Sequence, residues 1–333
     1  MKFSVMIWDI APFLPNVMGV DVHDYYKNVE LKLSTQIKFQ QLFPNALLYP
    51  GIWPDYGTVV EPSAFGCEVV WPNKNDAPWA RPIIDSLDQV KQLHIPDPYK
   101  DGMMPIVLKE YRYMNSQVDR SFLDCYGYLN GVAYTMGPLE TAGLIIGYEL
   151  LFIGMLEKPA VIHDLIDIVT EGILGWIHAQ ERINGPIKSL FVADHLPSQI
   201  SHDLFKEFGL PAFQKIFGEF KQAQTRLWHN EGRVEHLRDC LDDIGCNVFH
   251  CGDDIRSLMQ SSKTITFMGN LSPLGVLLNG TPKEVRRDVR SLWKDVPDKN
   301  RLVISTAGGM APGTPLENVK ALIETAQELS GGS

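Results

Sequence analysis

The chain lacks a glycine-rich dinucleotide fingerprint after any of its strand-like segments, which weakens the case for an open nucleotide-binding sheet. It has no apolar run long enough to span a bilayer: the longest, Gly143 to Met155, contains Tyr148 and Glu149. No signal-like apolar stretch follows Met1, so a soluble, cytosolic protein with no membrane role is expected. Basic residues are outnumbered 30 to 40 by acidic ones, giving a net charge of -10, whereas a phosphate-binding face needs the reverse. Nucleic acid is therefore not an expected partner. Cysteine is scarce and odd in number. The five residues, at positions 67, 125, 240, 246 and 251, are irregularly spaced and argue against a disulfide framework. Internal repeats, low-complexity tracts and charge runs are also missing.

What remains is a chain of 333 residues, 45% hydrophobic, able to bury a large core. Its second half alternates regularly. Strand-like runs at Phe122 to Leu129, Ser189 to Ala193, Thr225 to His229, Asn247 to Cys251, Thr264 to Gly269 and Arg301 to Thr306 are separated by helical periodicity. Earlier strands are expected at Phe3 to Trp8, Leu47 to Pro50 and Cys67 to Trp71, with helices over Asp24 to Phe43, Gly102 to Gln117, Gly137 to Glu157, Pro159 to Ile183 and Ser201 to Gln224. Thr281-Pro282-Lys283-Glu284 and Thr314-Pro315-Leu316-Glu317 both carry a helix start signal, with threonine as cap, proline first and glutamate third. Alternation at this length predicts an α/β fold, a (β/α)8 TIM barrel in one domain over 1–333. Residues 1–110 are expected to form, in part, an N-terminal extension over the barrel mouth.

Chemistry-bearing residues concentrate at two consecutive strand ends. Trp228-His229-Asn230-Glu231-Gly232 follows one strand-like run, and Phe249-His250-Cys251-Gly252 follows the next. In α/β folds this edge is where ligands bind. His229, Glu231 and Cys251 make a plausible zinc set that leaves a fourth position for water or substrate. His250 ranks below Cys251 as a ligand, because the pleat should turn it to the opposite side. Asp194 and His195, after another strand, aim at the same mouth as a proton relay, a substrate-orienting pair or support for a ligand. Asp253 and Asp254 read as a helix start. Cys67 and Cys125 read as structural, and Cys240 and Cys246 lie in helix and loop contexts. Trp8, Trp53, Tyr56, Tyr126, Tyr128 and Met310 are the candidate lining of an aromatic, apolar substrate pocket.

The last third carries a family resemblance. The run Ile265 to Pro273 (ITFMGNLSP) and the segment Gly280 to Val285 (GTPKEV) resemble the "GN-hydrophobe-x-P … GTPEEV" pattern of the uroporphyrinogen decarboxylase superfamily. Ala307 to Lys320 is similar to the last strand and helix of its corrinoid-linked methyltransferase branch, and Gly137 to Ala142 and Asp194 to Phe208 match more loosely. The resemblance implies a barrel with zinc at its C-terminal mouth, exchanging methyl groups with a corrinoid protein as partner. The family's His-x-Cys is here His229-Asn230-Glu231, and the position of its last cysteine is Gly309. Fewer thiolates leave a more electrophilic ion, suited to making an ether oxygen a better leaving group.

The expected activity is thus zinc-dependent transfer of a methyl group from a methoxylated small molecule, with a phenyl methyl ether as the expected donor, to the Co(I) corrinoid of a partner. This is the demethylating component of an O-demethylase. A methylcobalamin:thiol methyltransferase and a tetrapyrrole decarboxylase are the alternatives, although the N-terminal "RQAGR"-type run of the decarboxylases is missing. No Asp-x-His-x-x-Gly cobalamin-ligand motif occurs, so cobalamin should reside on the partner, docking over the loops Trp53 to Tyr56 and Met310 to Gly313. The resemblance also implies a homodimer.

Overall fold

The computed structural model describes residues 5–72 and 76–331. Six parallel strands form one continuous sheet: β5 (Val132–Met136), β6 (Ser189–Ala193), β7 (Thr225–Asn230), β8 (Val248–Cys251), β9 (Thr266–Leu271) and β10 (Leu302–Thr306), adjacent in chain order. Two earlier strands, β1 (Met6–Trp8) and β2 (Leu47–Tyr49), pair in parallel, and a bridge from Val5 to Ile304 attaches them beside β10. The barrel therefore takes its first two staves from the N-terminal region, which is more than an extension. A short antiparallel pair, β3 (Glu68–Val70) and β4 (Trp79–Arg81), stands apart.

No ladder joins β2 to β5 among the described residues. Side chains span that seam instead. The Tyr128 hydroxyl donates to the Leu48 carbonyl at 2.8 Å and accepts the Leu48 N–H at 3.1 Å, while Tyr134 donates to the Pro50 carbonyl at 2.8 Å. The barrel strands are buried on both faces, as parallel strands covered by helices must be. Their inner faces supply one core of Met6, Trp8, Tyr49, Tyr134, Phe191 and Leu227 among others, and their outer faces pack against the helices in a second, larger one.

Several expected elements change at polar or glycine breakpoints. The single helix expected over Asp24 to Phe43 is two, Val22–Lys27 and Val29–Leu42. Asn28 ends the first in extended backbone, and its side chain accepts the amides of Glu30 and Leu31 at 3.0 Å to begin the second. The strand expected at Phe122 to Leu129 is largely helix, Arg120–Tyr126, capped by Asp119 and ended by Gly127 at φ 78°; the strand itself is β5. Gly147 splits Gly137 to Glu157 into Pro138–Ile146 and Tyr148–Glu157, bent by 107°. Thr281 forms its reciprocal cap with Glu284, but the Thr314 hydroxyl turns back to the Ala311 carbonyl and the helix starts at Leu316. No single helix among the described residues is long and apolar enough to cross a membrane.

Candidate active site

Strand parity decides which side chains meet at the C-terminal mouth. On β7, Leu227 and His229 face the lumen, while Trp228 and Asn230 face the helices; Glu231 follows as the next inward residue. On β8, Val248 and His250 face inward and Phe249 and Cys251 outward. His229 and His250 are register partners on the two strands, with rings stacked 4.7 Å apart. His195, just beyond β6, meets His229 edge-on at 5.0 Å. His195, His229 and Glu231 each offer a ligand atom within 4.8 Å of the others.

The cluster differs from the expected zinc set at one position. Cys251 is fully buried in the outer core, on the face of β8 that turns away from His229 and Glu231. The imidazole of His195 stands in the cluster in its place. His250 is the inward member of the pair, against the expectation that the pleat turns it away, yet it stands outside the group of His195, His229 and Glu231.

The cluster is graded from dry to wet. The side chains of His229, His195 and Glu231 are 3%, 34% and 46% exposed, so the site opens through its carboxylate. Burial lowers the His229 pKa, and burial together with the neighbouring His229 brings His250 to about 3, so both rings stay neutral. Partial burial would raise the Glu231 pKa, but donors around it, the Gly309 amide at 2.9 Å among them, hold it at about 2. His195 is pulled the other way: burial lowers its pKa, and Glu140, whose carboxylate lies 3.5 Å from its Nδ1, raises it further than burial lowers it.

These residues fit a divalent cation. His229 Nε2 and Glu231 Oε1 lie 3.3 Å apart. Two ligand atoms on a tetrahedral ion with bonds of about 2.0–2.1 Å are separated by roughly 3.3–3.4 Å. A Cβ on Gly308 would fall 2.3 Å from the Glu231 carboxyl carbon, so the carboxylate occupies the space a side chain at 308 would take. The Gly309 N–H then holds Glu231 Oε1 at 2.9 Å.

Around the cluster, several residues position the ligands. Glu140 accepts the His195 backbone N–H at 3.0 Å and the Tyr148 hydroxyl at 2.5 Å, and the same carboxylate lies 3.5 Å from the His195 ring Nδ1, where a carboxylate can orient a metal-binding ring. Glu140 belongs to the Gly137 to Ala142 motif, and it meets His195 because helix Pro138–Ile146 starts against the end of β6. Asp194 does not enter the site. Its carboxylate accepts the amides of Leu139, Glu140 and Leu196, capping helix Pro138–Ile146, although burial and the Glu140 charge push it up to about 8.

The expected substrate lining does not stay together. Trp8 stacks on His229 at 4.4 Å and is part of the site. Trp53 packs at 5.2 Å against Tyr134 and lines a 60 Å³ cavity with Met136, Phe191 and Trp176. Met310 is buried in the loop after β10. Tyr126 and Tyr128 are corrected to the opposite end, where they line a 240 Å³ cavity beneath the N-terminal strand ends with Lys188 and Ser189. Tyr56 is also displaced: it donates to Glu110 at 2.6 Å beneath the buried Lys32 ammonium, which pairs with Glu110 at 2.8 Å.

Known proteins share this architecture. A solved methyltransferase from Methanosarcina mazei superposes with a TM-score of 0.81 at 21% identity, over 99% of this chain and 94% of its own. In sequence, the chain is 26% identical over 286 residues to the methylated-thiol–coenzyme M methyltransferase of Methanosarcina mazei, covering 83% of this chain and 71% of the relative. It is 24% identical to the methylcobamide:CoM methyltransferase MtaA of Methanosarcina barkeri, with 82% and 78% covered. The uroporphyrinogen decarboxylase of Shewanella frigidimarina is 22% identical, with 90% and 84% covered. The family model described as uroporphyrinogen decarboxylase (URO-D) matches residues 16–329, and the chain belongs to that family.

Proposed function

We propose that the chain is a methyltransferase that moves a methyl group from a methylated oxygen of a small molecule to the corrinoid of a partner protein. Zinc is the metal assigned to it, with His195, His229 and Glu231 as the residues that hold it. The observation that carries this reading is the meeting of two imidazoles and a carboxylate, with no thiolate, at the open end of the barrel. The names of the two methanogen methyltransferases support methyl transfer and a corrinoid partner.

When bound, a divalent cation supplies Lewis acidity to the oxygen that loses its methyl group. The remaining work belongs to the chain. Glu140 orients His195, and Trp8 holds the His229 ring against rotation. Trp53, Tyr134, Met136 and Phe191 offer an apolar wall for an aromatic ring. Their cavity of 60 Å³ lies beside the partly exposed Trp53, whose indole forms one edge of it. The methyl carbon leaves without the C–O electron pair, which stays on the departing alkoxide or phenolate. The partner's docking surface is assigned to Trp53 and the exposed Pro312–Gly313 turn. Asp55, Tyr56 and Met310 are buried and lie behind that surface.

Decarboxylation of a tetrapyrrole is disfavoured by the lumen. Arg226 is the one arginine on the barrel strands, and its guanidinium is turned to the carbonyls of Gly245, Lys221 and Ala223. Transfer to or from a thiol is the second reading, favoured by the thiol and coenzyme M in the relatives' names. The test combines metal analysis of the purified chain with a methyl-transfer assay. Reduced corrinoid protein is mixed with a panel of methoxylated aromatics, then with methylated thiols, and methylcobalamin is followed by absorbance. One zinc per chain and transfer from an ether are expected. Transfer from thiols alone moves the assignment to the second reading, and a protein that binds no metal ends both.

A further inference from the structure

His250 touches His229 but is not among the residues able to share a cation with it, and its hydrogen bonds constrain where the protons lie. Its Nε2 is 2.7 Å from the Thr306 carbonyl oxygen. A carbonyl can only accept, so Nε2 carries a hydrogen. Its Nδ1 is 2.8 Å from His229 Nδ1, a distance at which two ring nitrogens share one hydrogen. With the His250 hydrogen committed to Thr306, a neutral His250 presents a lone pair at Nδ1. His229 must then donate from Nδ1, which leaves its Nε2 bare. That bare nitrogen is the atom 3.3 Å from Glu231 Oε1.

We propose that His250 is a positioning residue that fixes the His229 tautomer, holding the hydrogen on Nδ1 so that Nε2 stays open as a ligand atom for a divalent cation. The proposal rests on the metal reading of the site. Two lone pairs facing each other, one on Nε2 and one on a carboxylate, repel unless a cation sits between them. Without His250, the same ring gains more by moving its hydrogen to Nε2 and donating to Glu231, which would mask both ligand atoms at once. Trp8 blocks the alternative of turning the ring, because its indole stacks on His229 at 4.4 Å and leans on His250 at 5.0 Å. Both histidines are buried, 2% and 0% exposed, so water does not readily replace the lost partner.

Two substitutions separate tautomer control from packing. His250→Phe keeps a ring in the stack and removes the acceptor, whereas His250→Asn loses the ring but places an amide oxygen close to the Nδ1 position. Histidine side-chain nitrogen–proton correlation spectra of the metal-free protein at mildly alkaline pH should show His229 as Nδ1–H in the wild type and in His250→Asn. The Phe variant should show Nε2–H. Zinc affinity, measured by competition with a chromophoric chelator, should fall about 10–100-fold in the Phe variant, the usual cost of losing a partner behind a metal ligand. The Asn variant should stay within a few-fold of wild type. Nδ1–H in the Phe variant, or zinc binding by the Asn variant as weak as by the Phe variant, overturns the proposal. If the Phe variant fails to fold, the wild-type spectrum decides alone, since Nε2–H there refutes the assignment. A wild type that binds no zinc overturns the metal reading instead, and the spectra still decide the tautomer.

Discussion

The inner and outer faces of β7 and β8 carry residues of similar polarity and entirely different function. Inside, His229, Glu231 and His250 gather beside Trp8 at the mouth. Outside, Trp228 and Phe249 stack at 4.4 Å, Asn230 donates to the Asp194 carbonyl at 2.8 Å, and Cys251 is sealed in the helix-facing core. One residue along a strand separates a member of the mouth cluster from a structural peg, because successive side chains point to opposite faces. Polarity therefore does not mark the site in these strands; parity does. The outer-face Asn230 satisfies a neighbour's backbone, whereas the inner-face His229 turns its Nε2 toward Glu231 at the open mouth.

The largest effect expected from testing this contrast is structural. Trp228→Ala removes an indole packed between Phe249 and Phe213 and its hydrogen bond to the Asp194 carbonyl. It should cost about 3–5 kcal/mol in denaturant unfolding. A loss below ~1 kcal/mol would mean that the outer face is not the rigid support described here. On the inner face, Glu231→Ala should leave stability nearly unchanged, since the side chain is half exposed. Turnover should fall on the order of 10²–10³-fold, as when an electrostatic stabiliser is removed, with metal lost alongside. Unchanged zinc content in that variant would remove Glu231 from the ligand set.

A third test uses the turn from β1. Trp8 faces the lumen, and Asp9, the next residue, is buried and receives the Gly51 N–H at 3.3 Å. Burial raises the Asp9 pKa to about 8. The folded chain therefore binds a proton that the unfolded chain releases near 4. Its contribution to stability is full below the unfolded value and is lost as pH rises from about 4 through about 8. Asp9→Asn should flatten that slope and raise stability above pH 8 by roughly 1–3 kcal/mol. An unchanged pH profile of unfolding would show that Asp9 is ionised in the fold.

The smallest effect sharpens the contrast most. Cys251→Ala should retain full metal content and methyl transfer, with a stability loss of about 1 kcal/mol from the buried sulfur. Loss of zinc from this variant would return Cys251 to the site and break the division between faces.

Much of the barrel was legible because parallel strands buried on both faces leave compact β-branched and aromatic runs. Ser189 to Ala193 was read to the residue, and the five strands after β5 fell within two residues of their observed limits. Phe122 to Leu129 was misread because its apolar content suits either element, and the deciding Asp119 cap and Gly127 lie at its edges. In the site, His229, Glu231 and His195 were all named from position at strand ends. Glu140 was not, because a glutamate at a helix start looks like ordinary dipole compensation.

The sequence by itself determined the alternation of strands and helices, the shortage of thiolates and the placement of imidazole and carboxylate at strand ends. These are local properties of spacing and residue type. Only the tertiary structure decided that His195 rather than Cys251 joins His229 and Glu231, and that Tyr126 and Tyr128 seal the far end of the barrel. Those outcomes depend on strand parity, on register between neighbouring strands and on which end of the barrel a loop reaches. None of these is encoded in any single segment, because each is set when distant segments pack together.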